Sequence, residues 1–185
     1  FDWSDTLELS NIYSSVRFLP ISVSKNIRDI EIFDDNALFL AFPPSSYFSR
    51  HSYNEGKLLT NEKVETGNSF PAGMVFDHQR DEVMIGDNEN RIVTKYDRNG
   101  NIVRKYNTDF YFIDFNYSFS SKKFIFYTPL ISNFSNSEQK YSIVITDESM
   151  KPLKQIFPLD ETLANYTPLF SNCFQTVGEK TYFAP

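Results

Sequence analysis

At 185 residues and 21.6 kDa the chain is long enough for one domain with its own core, and length alone leaves room for two. A formal net charge of -6 and a pI near 4.9, with no compensating Lys/Arg stripe, repel a phosphate backbone and argue against nucleic acid as a partner. Hydrophobic residues make up 41%, mean hydropathy is -0.40, and no run approaches the roughly 20 apolar residues of a membrane-spanning helix, so a water-soluble domain is expected.

Aromatic residues reach 17%, with 19 Phe and 11 Tyr, and fall with β-branched residues in short runs, which favours strands and an all-β fold. The single cysteine, Cys173, excludes an internal disulfide framework and a multi-cysteine zinc site. Phe1 is neither an initiator methionine nor the start of a signal-peptide pattern, so a processed or trimmed product is expected.

In sequence order, Phe1 to Ser10 is polar and acidic, and Ser15 to Ile21 alternates well enough for one strand, with Pro20 placing it at an edge or ending it. Ile27 to Phe33 and Ala37 to Phe42 read as two strands around Asp34-Asp35-Asn36, and Pro43-Pro44-Ser45-Ser46 breaks the second. Tyr47 to Tyr53 then pairs with Lys57 to Val64 around Asn54-Glu55-Gly56. A second set of four follows: Ala72 to Asp77, Glu82 to Gly86, Arg91 to Asp97 and Asn101 to Tyr106. Its last two strands meet at Asn99-Gly100, the dipeptide that best tolerates the positive φ angles of a two-residue type I′ turn. A third set comprises Phe110 to Tyr117, Lys122 to Thr128, Tyr141 to Asp147 and Lys151 to Phe157; a fourth starts with Leu169 to Thr176 and Lys180 to Phe183.

Turns between the third and fourth strands of each set, at Gly56, Gly100 and Ser149, recur at about 45 to 50 residues, near the roughly 40 to 50 of a four-stranded propeller blade. A β-sandwich also has many short strands. However, Phe110-Tyr111-Phe112-Ile113 and Leu38 to Phe42 are apolar on both faces and must be covered on both, as stacked blades would do. The expected fold is therefore a β-propeller of four-stranded antiparallel blades in one domain over 1–185: blade 1 at 27–64, blade 2 at 72–106, blade 3 at 110–157, the start of blade 4 at 169–185, and a closing strand at 15–21. About three and a half blades make an incomplete ring, which would expose apolar blade faces, so a truncated chain is expected.

Leu7-Glu8-Leu9-Ser10-Asn11-Ile12 with Ser15-Val16-Arg17-Phe18-Leu19-Pro20, then Gly67-Asn68-Ser69-Phe70-Pro71-Ala72-Gly73, and Asp87 followed by Lys95 to Val103, together carry a resemblance. The chain resembles the six-bladed β-propeller proteins, distantly similar to NHL-repeat propellers, found as lipoproteins in Bacteroides and relatives. The resemblance covers nearly the whole sequence and departs from the family in the first blade, where the usual glycine-rich region is reduced to Gly67. It implies about six blades in the full protein, the N-terminal strand closing the last, and a place in the periplasm or at the outer-membrane surface as a lipoprotein. Membrane attachment would then run only through a lipid anchor absent from this sequence. No shared activity comes with the family.

Propellers bind ligands where the loops between second and third strands meet those linking blades. Here that face gathers Pro43 to Ser46, Thr66 to Phe70, Asp87 to Asn90, Asn107 to Asp109 and Pro129 to Gln139. Asp87, Asn88, Glu89 and Asn90 supply hard oxygen ligands suited to calcium, although a solvated turn capped by its own Asp and Asn side chains is the commoner use of such a run. Asp97 to Asn101 resembles a calcium loop superficially, but its sixth position is Ile102 where glycine is required. Tyr47, Phe48, Phe70 and Phe134 read as loop aromatics able to stack on sugar rings or anchor a peptide. His51 and His78, the only histidines, are too few for a three-His zinc site, no G-x-S-x-G is present, and Cys173 in an apolar strand reads as a core thiol. The sequons at Asn116, Asn133 and Asn165 matter only in a eukaryotic secretory setting.

The functional expectation is a non-catalytic binding or scaffold propeller of the cell envelope, with a glycan or protein partner, no catalytic residues and no cofactor beyond calcium. The alternative is a metal-dependent propeller hydrolase or lyase, with an ion held by carboxylates from several blades in the central channel.

Overall fold

The computed structural model describes residues 27–33, 36–41, 47–54, 57–65, 71–128, 141–158, 174–177 and 180–183, with side chains chiefly in 71–128 and 142–158. These form fourteen strands and, among the described residues, no helix. The first sheet holds β1 (Ile27–Phe33), β2 (Asn36–Ala41), β3 (Tyr47–Asn54) and β4 (Lys57–Glu65). The second holds β5 (Pro71–Asp77), β6 (Glu82–Asp87), β7 (Ile92–Tyr96) and β8 (Ile102–Asn107). The third holds β9 (Asp114–Ser118), β10 (Lys123–Tyr127), β11 (Tyr141–Thr146) and β12 (Pro152–Pro158), and β13 (Phe174–Val177) pairs with β14 (Lys180–Phe183). In every four-stranded sheet, spatial order is sequence order and all pairs are antiparallel.

First strands lie side by side: β1 neighbours β5, β5 neighbours β9, and β9 neighbours β13. The sheets therefore succeed one another around their inner strands and stack face to face, a propeller-like arrangement rather than two sheets closing on one core. Burial follows. Inner β5 is buried almost throughout, whereas outer β8 is exposed at every position but Tyr106, and β12 is exposed save for half-buried Ile156.

Strand alternation sends side chains to successive interfaces. Between the first and second sheets, Phe48 meets Met74, Phe76, Val83, Ile85 and Tyr96. Met84 and Val93 point the other way, into a phenylalanine-rich core with Phe112, Phe115, Phe124 and Phe126. Behind the third sheet, Ile113, Tyr127 and Ile143 pack with Ile125, Ile145 and Phe174. Both faces of inner strands β5 and β6 are thus covered, whereas outer β8 and β12 stay exposed.

The first strand of the third set begins at Asp114, not Phe110. Residues 110–113 are an irregular lead-in whose Phe110 and Phe112 fill the core between sheets, with Phe110 edge-on to Phe126 at 5.1 Å and Phe112 tilted against it at 4.9 Å. Their apolar character reflects burial without a ladder. The strand expected at Ser15 to Ile21 and the first part of Leu169 to Thr176 lie outside the described residues.

Asn99-Gly100 is likewise not a two-residue type I′ turn. The Gly100 N–H donates to the Asp97 carbonyl at 3.0 Å, the Asp97 N–H to the Asn101 carbonyl at 2.9 Å, and Gly100 alone in the turn has positive φ, 80°. This is a three-residue loop, a turn followed by one left-handed glycine. The same closure recurs at Asp147, where the Met150 N–H donates to the Asp147 carbonyl at 3.1 Å and Met150 takes φ 63°. In both turns the aspartate side chain takes up backbone donors: Asp97 Oδ1 accepts from Asn99 and Asn101, and Asp147 Oδ1 from Ser149 and Lys151. The carboxylate supplies the acceptor that the absent ladder cannot, which is why Asp opens these turns.

Candidate functional site

The paired ends Pro71, Asp87, Ile92 and Asn107 bring one edge of the second sheet together. Asp114, paired with Tyr127, stands at the same edge of the third, because Asp114 Oδ1 lies 2.7 Å from where a Cβ on Gly73 would be. Gly73 sits at a bulge of β5 with φ +136°, and only the missing side chain lets the two sheets approach this closely. The β6–β7 turn and the β8–β9 connection meet on this edge, as expected from the sequence.

Within the β6–β7 turn, Asp87 is buried and already engaged: Oδ1 accepts the Asn90 N–H at 3.1 Å and Oδ2 the Asn90 amide at 2.9 Å. The Arg91 N–H donates to the Asn88 carbonyl at 3.2 Å, and Arg91 takes the left-handed φ of 54°. Asp81 (φ 56°) and Lys122 (φ 54°) occupy the same position in the β5–β6 and β9–β10 turns, opened respectively by Asp77 and Ser118, whose side chains accept backbone N–H groups of their turns. The Asp87 carboxylate therefore shapes its turn, as Asp77 does at the opposite edge. Glu89 and Asn90 are exposed, Asn88 is half-buried, and Asn88 Oδ1 is buried without a hydrogen-bond partner among the described residues.

Sequence reading missed Arg91 and Tyr111. The exposed Arg91 guanidinium lies over the half-buried Tyr111 ring at 5.0 Å from its centroid. Thr108 ties the two loops together: its N–H and Oγ1 both reach the Arg91 carbonyl, at 2.8 and 3.1 Å, and Oγ1 reaches the Phe110 carbonyl at 2.7 Å. An aromatic directly behind a strand and close to the turn edge was the available signal, hidden because Tyr111 reads as strand.

Phe48 is not a loop aromatic. It lies in β3, 1% exposed, tilted against Tyr96 at 5.6 Å and packed with Met74, Phe76, Val83 and Ile85 between the first two sheets. Tyr47 opens β3. Phe70, Phe134, Cys173, Pro43 to Ser46, Thr66 to Ser69 and Pro129 to Gln139 lie outside the described residues. His51 is in β3, and His78 is an exposed turn residue edge-on to Phe76 at 4.8 Å. Among the described residues no group of three or more His, Cys, Asp or Glu could hold a metal ion.

The shifted titrations lie away from this edge. Burial, then the hydrogen bond to Glu148, pushes the Tyr117 hydroxyl above the ordinary tyrosine range, and it donates to Glu148 Oε1 at 2.7 Å. Arg104 reaches the same carboxylate at 3.8 Å and lies over Tyr106 at 4.7 Å, so Glu148 clasps the second sheet to the third. Burial also raises Tyr96 and Tyr106. These groups bind sheets together.

No family model matches the chain. No curated protein matches it either. Among solved structures, the chain is similar to a protein of Bacteroides fragilis NCTC 9343 that is named as exported: TM-score 0.67 at 14% identity, over 90% of this chain and 48% of that one. The chain thus spans about half the length of that structure. Hsv2 of Kluyveromyces lactis gives a TM-score of 0.40 at 10% identity over 69% of this chain and 50% of that one. At these identities the first likeness is one of fold.

Proposed function

We propose that the chain is part of a β-propeller of six blades that acts as a non-catalytic binding or scaffold module of the cell envelope, engaging a glycan or protein partner without a cofactor. The observation that carries the binding reading is the Arg91–Tyr111 stack at the turn edge, flanked by exposed Glu89, Asn90 and Asp109. An aromatic ring beside a cation and several hydrogen-bonding groups suits a sugar ring or a peptide side chain, and nothing in that set is a nucleophile with its base. Asp87 positions the turn, and the ligand meets Asn88, Glu89, Asn90, Arg91 and Tyr111, with Tyr47, Phe70 and Phe134 as further contacts. Similarity over 48% of the Bacteroides structure supports a ring completed by further blades, and that protein's naming as exported supports an extracytoplasmic place, the setting in which a lipid anchor would hold it.

Calorimetric titration of the full-length protein against envelope polysaccharides and envelope proteins tests this. Binding is expected, with Tyr111→Ala weakening it by about tenfold or more, the loss of a well-placed aromatic contact. Absence of binding together with measurable turnover, or calcium-dependent hydrolysis or elimination, overturns the proposal.

A further inference from the structure

Asn99 is the only asparagine in the sequence followed by glycine. The structure places the pair at an exposed tip between β7 and β8, on the edge opposite Asp87. Gly100 has no Cβ to shield its backbone nitrogen, and that nitrogen belongs to the residue directly after the Asn99 carboxamide. We propose that Asn99 is a site of spontaneous modification, in which water converts the asparagine to aspartate and isoaspartate through a cyclic imide.

The Gly100 nitrogen, losing its proton to hydroxide, attacks Asn99 Cγ. A new N–Cγ bond forms as the Cγ–Nδ2 bond breaks, and Nδ2 takes up a proton and leaves as ammonia. Water then opens the ring. Opening at Cγ restores the ordinary peptide link and leaves aspartate; opening at the Asn99 backbone carbonyl routes the polypeptide through Cγ and leaves isoaspartate. Neither step needs an oxidant or reductant.

The turn restrains the reaction. The Gly100 N–H is held by the Asp97 carbonyl at 3.0 Å, and Asp97 Oδ1 grips the Asn99 and Asn101 N–H groups at 2.8 Å each. Local opening must precede attack. Isoaspartate adds a backbone carbon to a three-residue loop closed by these contacts, so they cannot all re-form, and either product sets a second carboxylate beside Asp97. The equivalent turn of the third sheet, Asp147-Glu148-Ser149-Met150, has no carboxamide side chain, so of these two matching turns only that of the second sheet can change in this way.

The folded full-length protein, incubated at mildly alkaline pH and analysed by peptide mass spectrometry, should convert Asn99 ahead of Asn101 and Asn107, both exposed but followed by Ile and Thr. Asp97→Ala should accelerate conversion at least about fivefold, the factor for one of the hydrogen bonds it removes, and Asn99→Gln should abolish the signal. If Asp97→Ala proves unfolded by circular dichroism, the parent protein in rising urea serves instead, and its rate must rise with opening. Conversion of Asn99 no faster than Asn101 and Asn107, or a rate indifferent to opening of the turn, overturns the proposal.

Discussion

Replacing Gly86 by alanine tests the close stacking of the second and third sheets. Gly86 lies buried in β6, where an added Cβ would stand 2.8 Å from Phe112 Cε2 and 3.0 Å from Phe115 Cε1. The Phe112 ring would have to recede by about 0.6 Å to reach ordinary contact. It has little room, being fully buried, tilted against Phe126 at 4.9 Å and edge-on to Phe115 at 6.0 Å. Gly86 is not among the positive-φ glycines, so the cost is packing and not backbone strain. Overpacking of this kind costs about 2 kcal/mol, which in a protein of this size lowers Tm by roughly 4 to 8 °C. Urea denaturation followed by circular dichroism measures it. Phe112→Leu alone should destabilise by about 1 to 2 kcal/mol, yet combined with Gly86→Ala should fall short of the sum by about 1 kcal/mol, because the shorter side chain vacates the space the new methyl needs. Stability of Gly86→Ala within about 0.5 kcal/mol of the parent, or strict additivity in the pair, would refute the packing described for this interface.

Tyr117→Phe removes the hydroxyl bonded to Glu148 and should cost about 1 kcal/mol in the same assay. Because the folded state holds the Tyr117 proton more tightly than the unfolded state does, its contribution is present below about pH 10 and lost as pH rises through the folded value; the variant should lose stability less steeply in alkali than the parent. The Asp97 and Asp147 carboxyls are held below the usual carboxylate range, chiefly by side-chain hydrogen bonds from Asn101 and Ser149 respectively. Their contribution is present above the unfolded carboxyl value and disappears as pH falls through the folded one, so the destabilisation of Asp97→Ala should shrink on acidification; a pH-independent difference in denaturation midpoint would contradict it. Lys122 and Met150 both adopt left-handed φ, but Lys122 is exposed and Met150 is buried. Lys122→Gly should therefore be neutral or stabilising by up to about 1 kcal/mol, whereas Met150→Gly should destabilise by about 1 to 2 kcal/mol, as thermal melts would show.

The meander was legible in the sequence because turn chemistry is local. Aspartates 77, 87, 97 and 147 each bond to backbone groups within four residues, so the strand breaks could be placed without knowing what the strands touch. The third turns of the second and third sheets, at Asp97 and Asp147, share this chemistry. Turn geometry was less legible, since Asn-Gly fits both a two-residue loop and a three-residue one, and the ladder register decides between them.

What a side group meets across the sheet interface was not available from neighbours in sequence. Phe48 alternates within a strand, and only the apposed Tyr96 shows that it is core. Residues 110–113 are as apolar as a strand but form no ladder, because the rings of Phe110 and Phe112 are required between sheets. Arg91 and Tyr111 belong to different loops and come together only when Thr108 binds one to the other. By itself, the sequence determined where most of the described strands break and their antiparallel order, which depend on groups a few residues apart; the tertiary structure decided the stacking, the start of β9, the geometry of the Asp97 turn, the fate of Phe48 and the meeting of the β6–β7 turn with the β8–β9 connection, which depend on contacts between residues far apart in sequence.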